Sequence, residues 1–163
     1  MRLFDGLARS DYQDLFRAFG AECDRLRLRD LRLIETTDGL LLHYRVAGRL
    51  TEGFQLAHHT DDTLLALLQD AYTRRGLGAE HAAAPAPLGP SYQQILRAVG
   101  RALDQGALRY PRLIEQPDAL LLQVSGSALR RGFQAYHIDT DRLYALVEAT
   151  AADGIVDLGT PLA

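Results

Sequence analysis

Apolar residues recur at steps of three and four from Tyr12 through Leu15, Phe16, Phe19 and Cys23 to Leu26. That spacing gives one apolar stripe and predicts an amphipathic helix. The period then changes to two. Leu31-Arg32-Leu33-Ile34-Glu35 predicts a strand, Thr37-Asp38-Gly39 a tight turn, and Leu40 to Val46 the return strand of a hairpin. After a glycine-bearing loop, a third strand is expected from Phe54 to His59 and a closing helix from Thr63 to Thr73, opened by Thr60-Asp61-Asp62.

The same pattern then returns. Tyr92, Ile95, Leu96, Val99 and Leu103 repeat the stripe; Pro111 to Glu115, Pro117-Asp118-Ala119 and Leu120 to Val124 repeat the hairpin. Residues 12–44 overlie 92–124 at one offset with about half the residues identical. After a one-residue slip, Gly53-Phe54-Gln55 matches Gly132-Phe133-Gln134, and His58 matches His137. The closing helix is expected again from Arg142 to Ala152, after Asp139-Thr140-Asp141. A long internal period of this kind is the mark of a repeated structural unit. The expectation is an α+β fold: a tandem duplication of a helix–three-strand meander–helix unit, with antiparallel sheet, helices on one face and a pseudo-twofold. The units would be residues 1–78 and 91–163, joined by an Ala/Pro/Gly-rich linker over 79–90.

Three strands alone are marginal, so one continuous sheet of about six strands is expected. Ser10 or Asp11, and Ser91 after Pro90, are suited to cap the first helix of each unit. Gly20 and Gly100 fall inside those helices, where glycine costs about 1 kcal/mol relative to alanine. Their recurrence implies close packing against that turn, for which the sheet is the expected neighbour.

On the middle strand, Leu40, Leu42, Tyr44 and Val46 should meet the helices, while Leu41, His43 and Arg45 point away. Leu121, Gln123 and Ser125 repeat the second set, with Ile34, Ala57, Ile114, Tyr136 and Ile138 expected beside them. A solvated sheet face reads polar throughout, and this one is mixed. Arg32, Ile34, Leu41, His43, Arg45, Arg112, Ile114, Leu121, Gln134 and Tyr136 are therefore the candidate binding face.

Composition narrows the classes. The chain has 163 residues, 47% hydrophobic and 24% charged, with a formal charge of −3, so no overall positive field draws it to polyanions. One cysteine, Cys23, rules out an intrachain disulfide and fits a reducing compartment; its match is Leu103, which makes it a small core residue. No stretch approaches the roughly 20 apolar residues of a membrane span, and Asp5 interrupts the start where a signal peptide needs an apolar run. A cytoplasmic chain without a membrane partner is expected.

Strong catalytic motifs are missing. There is no lysine, all 18 basic residues being arginine, which excludes a P-loop lysine and Schiff-base chemistry. Ser125-Gly126-Ser127 lacks the glycine of a nucleophile elbow. A twinned set of polar residues, Glu35, Asp38, His58 and Asp62 with Glu115, Asp118, His137 and Asp141, is expected at one sheet edge. Carboxylates with imidazole suit a divalent metal or acid–base chemistry. Helix-start and turn roles for the aspartates and a buried role for the histidines explain the same residues. His58-His59 cannot chelate one ion from adjacent strand positions; His43 and His59 could share the open face, but Gln123 and Ile138 occupy those places in the second unit, and His81 lies in the linker.

Arg17, Arg29 and Arg32 match Arg97, Arg109 and Arg112, with Arg130-Arg131 in addition. Arginines on an open sheet can follow a phosphate backbone or stack on bases, but 7% aromatics, no tryptophan and the acidic sum oppose this. In architecture the helix–three-strand–helix order resembles the units of secretion-chaperone-like proteins, and a duplicated unit with an open sheet is similar to a TATA-binding-protein saddle. No functional residue carries over from either. The reading is a non-enzymatic interaction module without cofactor, contacting a protein partner or itself. Nucleic-acid binding on the open face, and a metal-dependent hydrolase at the Glu/His/Asp edge, are the alternatives.

Overall fold

The computed structural model describes residues 12–46, 53–74, 85–125 and 132–162. The candidate caps Ser10 and Asp11, His81 with the first half of the linker, Gly126-Ser127 and Arg130-Arg131 lie outside the described residues. Within them the order is α1 (Tyr12–Arg25), β1 (Leu28–Thr36), β2 (Gly39–Val46), β3 (Gln55–Thr60) and α2 (Asp61–Arg74). Then follow α3 (Tyr92–Gln105), β4 (Arg109–Glu115), β5 (Ala119–Ser125), β6 (Gln134–Asp139) and α4 (Thr140–Ala151). The strands form a single antiparallel six-stranded sheet in the order β3-β2-β1-β4-β5-β6. The helices cover one side of it.

The first strands of the two halves join them. Arg32 pairs with Ile114, Leu33 with Leu113 and Ile34 with Arg112, so an approximate twofold runs through the Leu33–Leu113 pair. Each of these strands starts earlier than the alternation alone predicts. Leu28 and Leu31 are three apart yet both buried, which a regular strand cannot arrange. A bulge between Arg29 and Arg32, with Asp30 at φ 54°, resets the phase. Between Arg109 and Arg112 the second half does the same, with Tyr110 at φ 53°.

Over the sheet, α1 and α3 pack against each other. A Cβ on Gly20 would sit 2.4 Å from the carbonyl oxygen of Tyr92, and one on Gly100 2.5 Å from that of Tyr12. Each glycine thus meets the first turn of the opposite helix, and not the sheet as the sequence suggested. Only a residue without a side chain allows this approach. The N–H groups of Tyr92 and Gln93 donate to the Asp24 carboxylate at 2.9 and 3.0 Å. Those of Tyr12 and Gln13 donate to Asp104, both at 3.0 Å. A carboxylate at a helix N-terminus satisfies orphan donors and complements the dipole. Each helix therefore ends on the residue that caps the other's start. Ser91 adds a capping box with Gln94 on α3.

One core fills the space between layers, from Leu15, Phe16 and Phe19 through Leu33, Leu42, Leu113 and Leu122 to Ile95, Val99 and Leu103. Ala86 and Leu88, expected in the linker, are also buried in it. Cys23 is a core residue whose thiol burial pushes well above its usual range. No helix among the described residues is long and apolar enough to cross a membrane.

Candidate functional site on the open sheet face

Strand register decides which side chains share a side of the sheet, because directly paired residues point the same way. One row across all six strands reads Ala57, Leu42, Leu33, Leu113, Leu122, Tyr136. It faces the helices. The rows on either side of it face away. The first reads Leu56, His43, Arg32, Ile114, Leu121, His137; the second reads His58, Leu41, Ile34, Arg112, Gln123, Ala135. The twofold exchanges these rows.

Several expected placements change. Ala57, Tyr136 and Ile138 lie on the helix side, as does Gln134, which pairs with Val124. The expectation failed on the third strands because their phase depends on pairing with the neighbour, which alternation within a short mixed strand does not encode. Tyr136 is buried and donates to the Gln134 side-chain oxygen at 2.9 Å. In the first half Tyr44 makes the equivalent bond to Gln55 at 3.2 Å. The tyrosine has moved from middle to outer strand while keeping its glutamine.

The twinned polar set is divided by the same register. Glu35 pairs with Leu40, which pairs with His59, so Glu35 lies on the helix side. His58 pairs with Leu41 on the open side, and the two cannot meet through the sheet. His58 Nε2 instead lies 3.3 Å from the Asp38 carboxylate, which a hydrogen bond from Thr36 holds below the usual carboxylate range. Asp62 and Asp141 occupy the exposed first turns of α2 and α4. Asp118 is exposed in the β4–β5 turn, and His137 is exposed on β6. Among the described residues, no group of three His, Cys, Asp or Glu side chains is placed to hold a metal ion.

Glu35 and Glu115 have partners that the linear sequence does not show. The Tyr12 hydroxyl donates to Glu35 at 2.6 Å, and the Tyr92 hydroxyl to Glu115 at 2.7 Å. Glu115 also accepts the Leu31 N–H at 3.1 Å. Extending the β1–β4 register places Pro111 opposite Glu35, and proline has no N–H to give. Burial pushes the Glu35 carboxyl up to about 7, and it raises Glu115 as well. The outer oxygen of each is buried without a hydrogen bond. These carboxyls sit inside the helix–sheet sandwich and present no reacting surface.

The open face is different. Phe54 is 46% exposed, Leu56 65% and Phe133 58%. Phe54 lies on the open side, stacked on His43 with ring centroids 4.5 Å apart. The guanidinium carbons of Arg32 and Arg45 lie 5.7 and 5.6 Å from the Phe54 ring centroid, a cation–π geometry. Arg112, Gln123 and Ser125 are the corresponding residues around Phe133. A shallow pocket lined by Arg112, Ile114, Leu121, Gln123, Ala135 and Leu162 opens on that half. The candidate residues Arg32, Ile34, Leu41, His43, Arg45, Arg112, Ile114 and Leu121 thus share one surface.

In comparison with known proteins, the chain matches no family model, no curated protein and no solved structure at a significant level. The reading of this face rests on its own chemistry.

Proposed function

We propose that the chain is a non-enzymatic protein-interaction module, built as an intrachain pseudo-dimer, that docks a protein partner on the open face of its sheet in the cytoplasm. Its most direct support is the uneven treatment of the two sheet sides. The helices cover one side, while the other leaves Ile34, Leu41, Ile114 and Leu121 half-buried at its centre and Phe54, Leu56 and Phe133 exposed around them. A continuous apolar patch of this kind on a folded domain marks a contact surface. The reciprocally capped pair of α1 and α3 packs behind it.

Site-specific photocrosslinking in cells tests this. A photoreactive residue at position 41 or 121 should yield protein adducts, whereas one at exposed Tyr144 on α4 should not. Adducts with nucleic acid alone, or none at either sheet position, would overturn the reading.

A further inference from the structure

The twelve residues of the two outward rows contain Arg32, Arg112, His43, His58 and His137, one glutamine, six aliphatic side chains and no carboxylate. This occurs in a chain where Asp and Glu outnumber Arg by 21 to 18. The nearest described acids stand at the margins, Asp30 at 3.8 Å from Arg45 and Asp38 beside His58. The face is therefore cationic and aliphatic within an acidic molecule.

That segregation discriminates among occupants. A second copy seated face to face would press Arg32 and Arg112 against their own copies, with no carboxylate in the rows of either to neutralise them. Buried like charges disfavour that arrangement. Single-stranded nucleic acid gains its affinity from stacking successive bases on aromatic rings, but Phe54 stands at the outer margin of this face, and the side chains beside the two central arginines are the aliphatic Ile34, Leu41, Ile114 and Leu121. Aliphatic side chains contribute by excluding water from other aliphatic groups.

We propose that the partner is an acidic polypeptide segment bearing aliphatic side chains, its carboxylates meeting Arg32 and Arg112 and its apolar groups covering Ile34, Leu41, Ile114 and Leu121. The two arginines lie on adjacent central strands, one on each side of the twofold, so acids of the segment engage both across the seam. Arg45 beside Phe54 extends the cationic surface toward β3. The inference rests on the open face being the docking surface and adds the chemistry of what docks there.

Fluorescence anisotropy on the full chain tests it with four labelled probes. These are a 16-residue peptide of Glu with Leu at every fourth position, the same peptide with Lys for Glu, the same with Ser for Leu, and a 16-nucleotide single-stranded DNA. The Glu/Leu peptide should bind, and bind at least about tenfold more weakly to the Arg32→Gln/Arg112→Gln variant and in 0.5 M salt. The Lys and Ser peptides should bind at least about tenfold more weakly than the Glu/Leu peptide. Circular dichroism checks that the variant keeps its fold, and Arg142→Gln on α4, in the helix layer, serves as a substitution away from this face. Equal binding of the Lys peptide, tighter binding of the DNA, or no binding of the Glu/Leu peptide would overturn the proposal. If crosslinking at positions 41 and 121 still captures protein in that event, the docking surface stands and only the acidic partner is lost. If Leu41→Asp/Leu121→Asp leaves both crosslinking from Ile114 and peptide binding intact, the face itself is wrong.

Discussion

The two halves share a scaffold but treat its outer parts differently. Where they touch each other they match: Gly20 with Gly100, Asp24 with Asp104, Tyr12–Glu35 with Tyr92–Glu115, and Arg29 over Tyr92 with Arg109 over Tyr12. Away from the twofold they diverge. After α4 the chain is tied back to α3, with the Gly154 carbonyl accepting from Arg101 at 2.8 Å and from Gln105 at 3.1 Å. The Val156 N–H donates to Gln105 at 2.9 Å, and its side chain enters the core. Ala21 and Arg25 occupy the corresponding places on α1, and Arg25 pairs with Glu22. Fully buried Ile138 corresponds to His59, which stands edge-on to Phe19 beside a cavity of about 150 Å³ lined also by Cys23, Leu26 and Leu67. A residue that contacts its own counterpart's neighbours is constrained twice, whereas a peripheral residue meets a local environment that differs between halves.

The largest effect should come from the matched contacts. Gly20→Ala and Gly100→Ala each force a methyl into opposing backbone, which cannot rotate aside. Each should cost about 3 kcal/mol or more, and by equal amounts, measured by urea denaturation. A cost below about 0.5 kcal/mol for either would break the equivalence of the two helices.

Second comes a mismatch near the twofold, Leu31 in the first half against Pro111 in the second. A carboxyl whose folded value is raised to about 7 from 4.5 binds more protons folded than unfolded across that interval. Its contribution is thus fully present at low pH and is lost as pH rises from about 4.5 through 7. That loss should amount to roughly 2–3 kcal/mol. Half-buried His59 is lowered by desolvation and works in the opposite sense, so the titration is best made in a His59→Ile background, copying Ile138. Glu35→Gln should flatten part of the slope, the remainder coming from Glu115 and Asp24, whose burial raises them in the same sense. Pro111→Leu, which restores the N–H that Leu31 gives Glu115, should reduce it. An unchanged slope in Glu35→Gln would remove Glu35 as its source.

The smallest effect concerns the tail. Gln105→Arg copies the first half and removes both an acceptor for Val156 and a donor to Gly154. It should cost about 1 kcal/mol and speed amide exchange at Val156, while Arg25→Gln should leave the denaturation midpoint unchanged. Equal effects of both would show that the tail contacts stabilise nothing.

Much of this architecture was legible in the residues. Changes of period from 3.6 to 2 marked helices and strands, and turn residues marked the hairpins of the antiparallel sheet. The candidate face was legible where a strand is long and clearly alternating, as at Leu40 to Val46. It was misread on β3 and β6, where short mixed strands left Ala57, Gln134, Tyr136 and His58 without a phase. No linear signal placed Gly20 against Tyr92, because that contact joins positions far apart in the chain.

The order of side chains therefore determined which segments are helix or strand and that the halves are built alike, since both follow from local sterics and the spacing of apolar groups. Tertiary structure alone decided which residues share a surface. Strand register sent Glu35 inward to Tyr12 and His58 outward to Asp38, and pairing across the twofold gathered arginines and aliphatic residues into two rows without a carboxylate. Both outcomes depend on non-local hydrogen bonding, which no single stretch of chain contains.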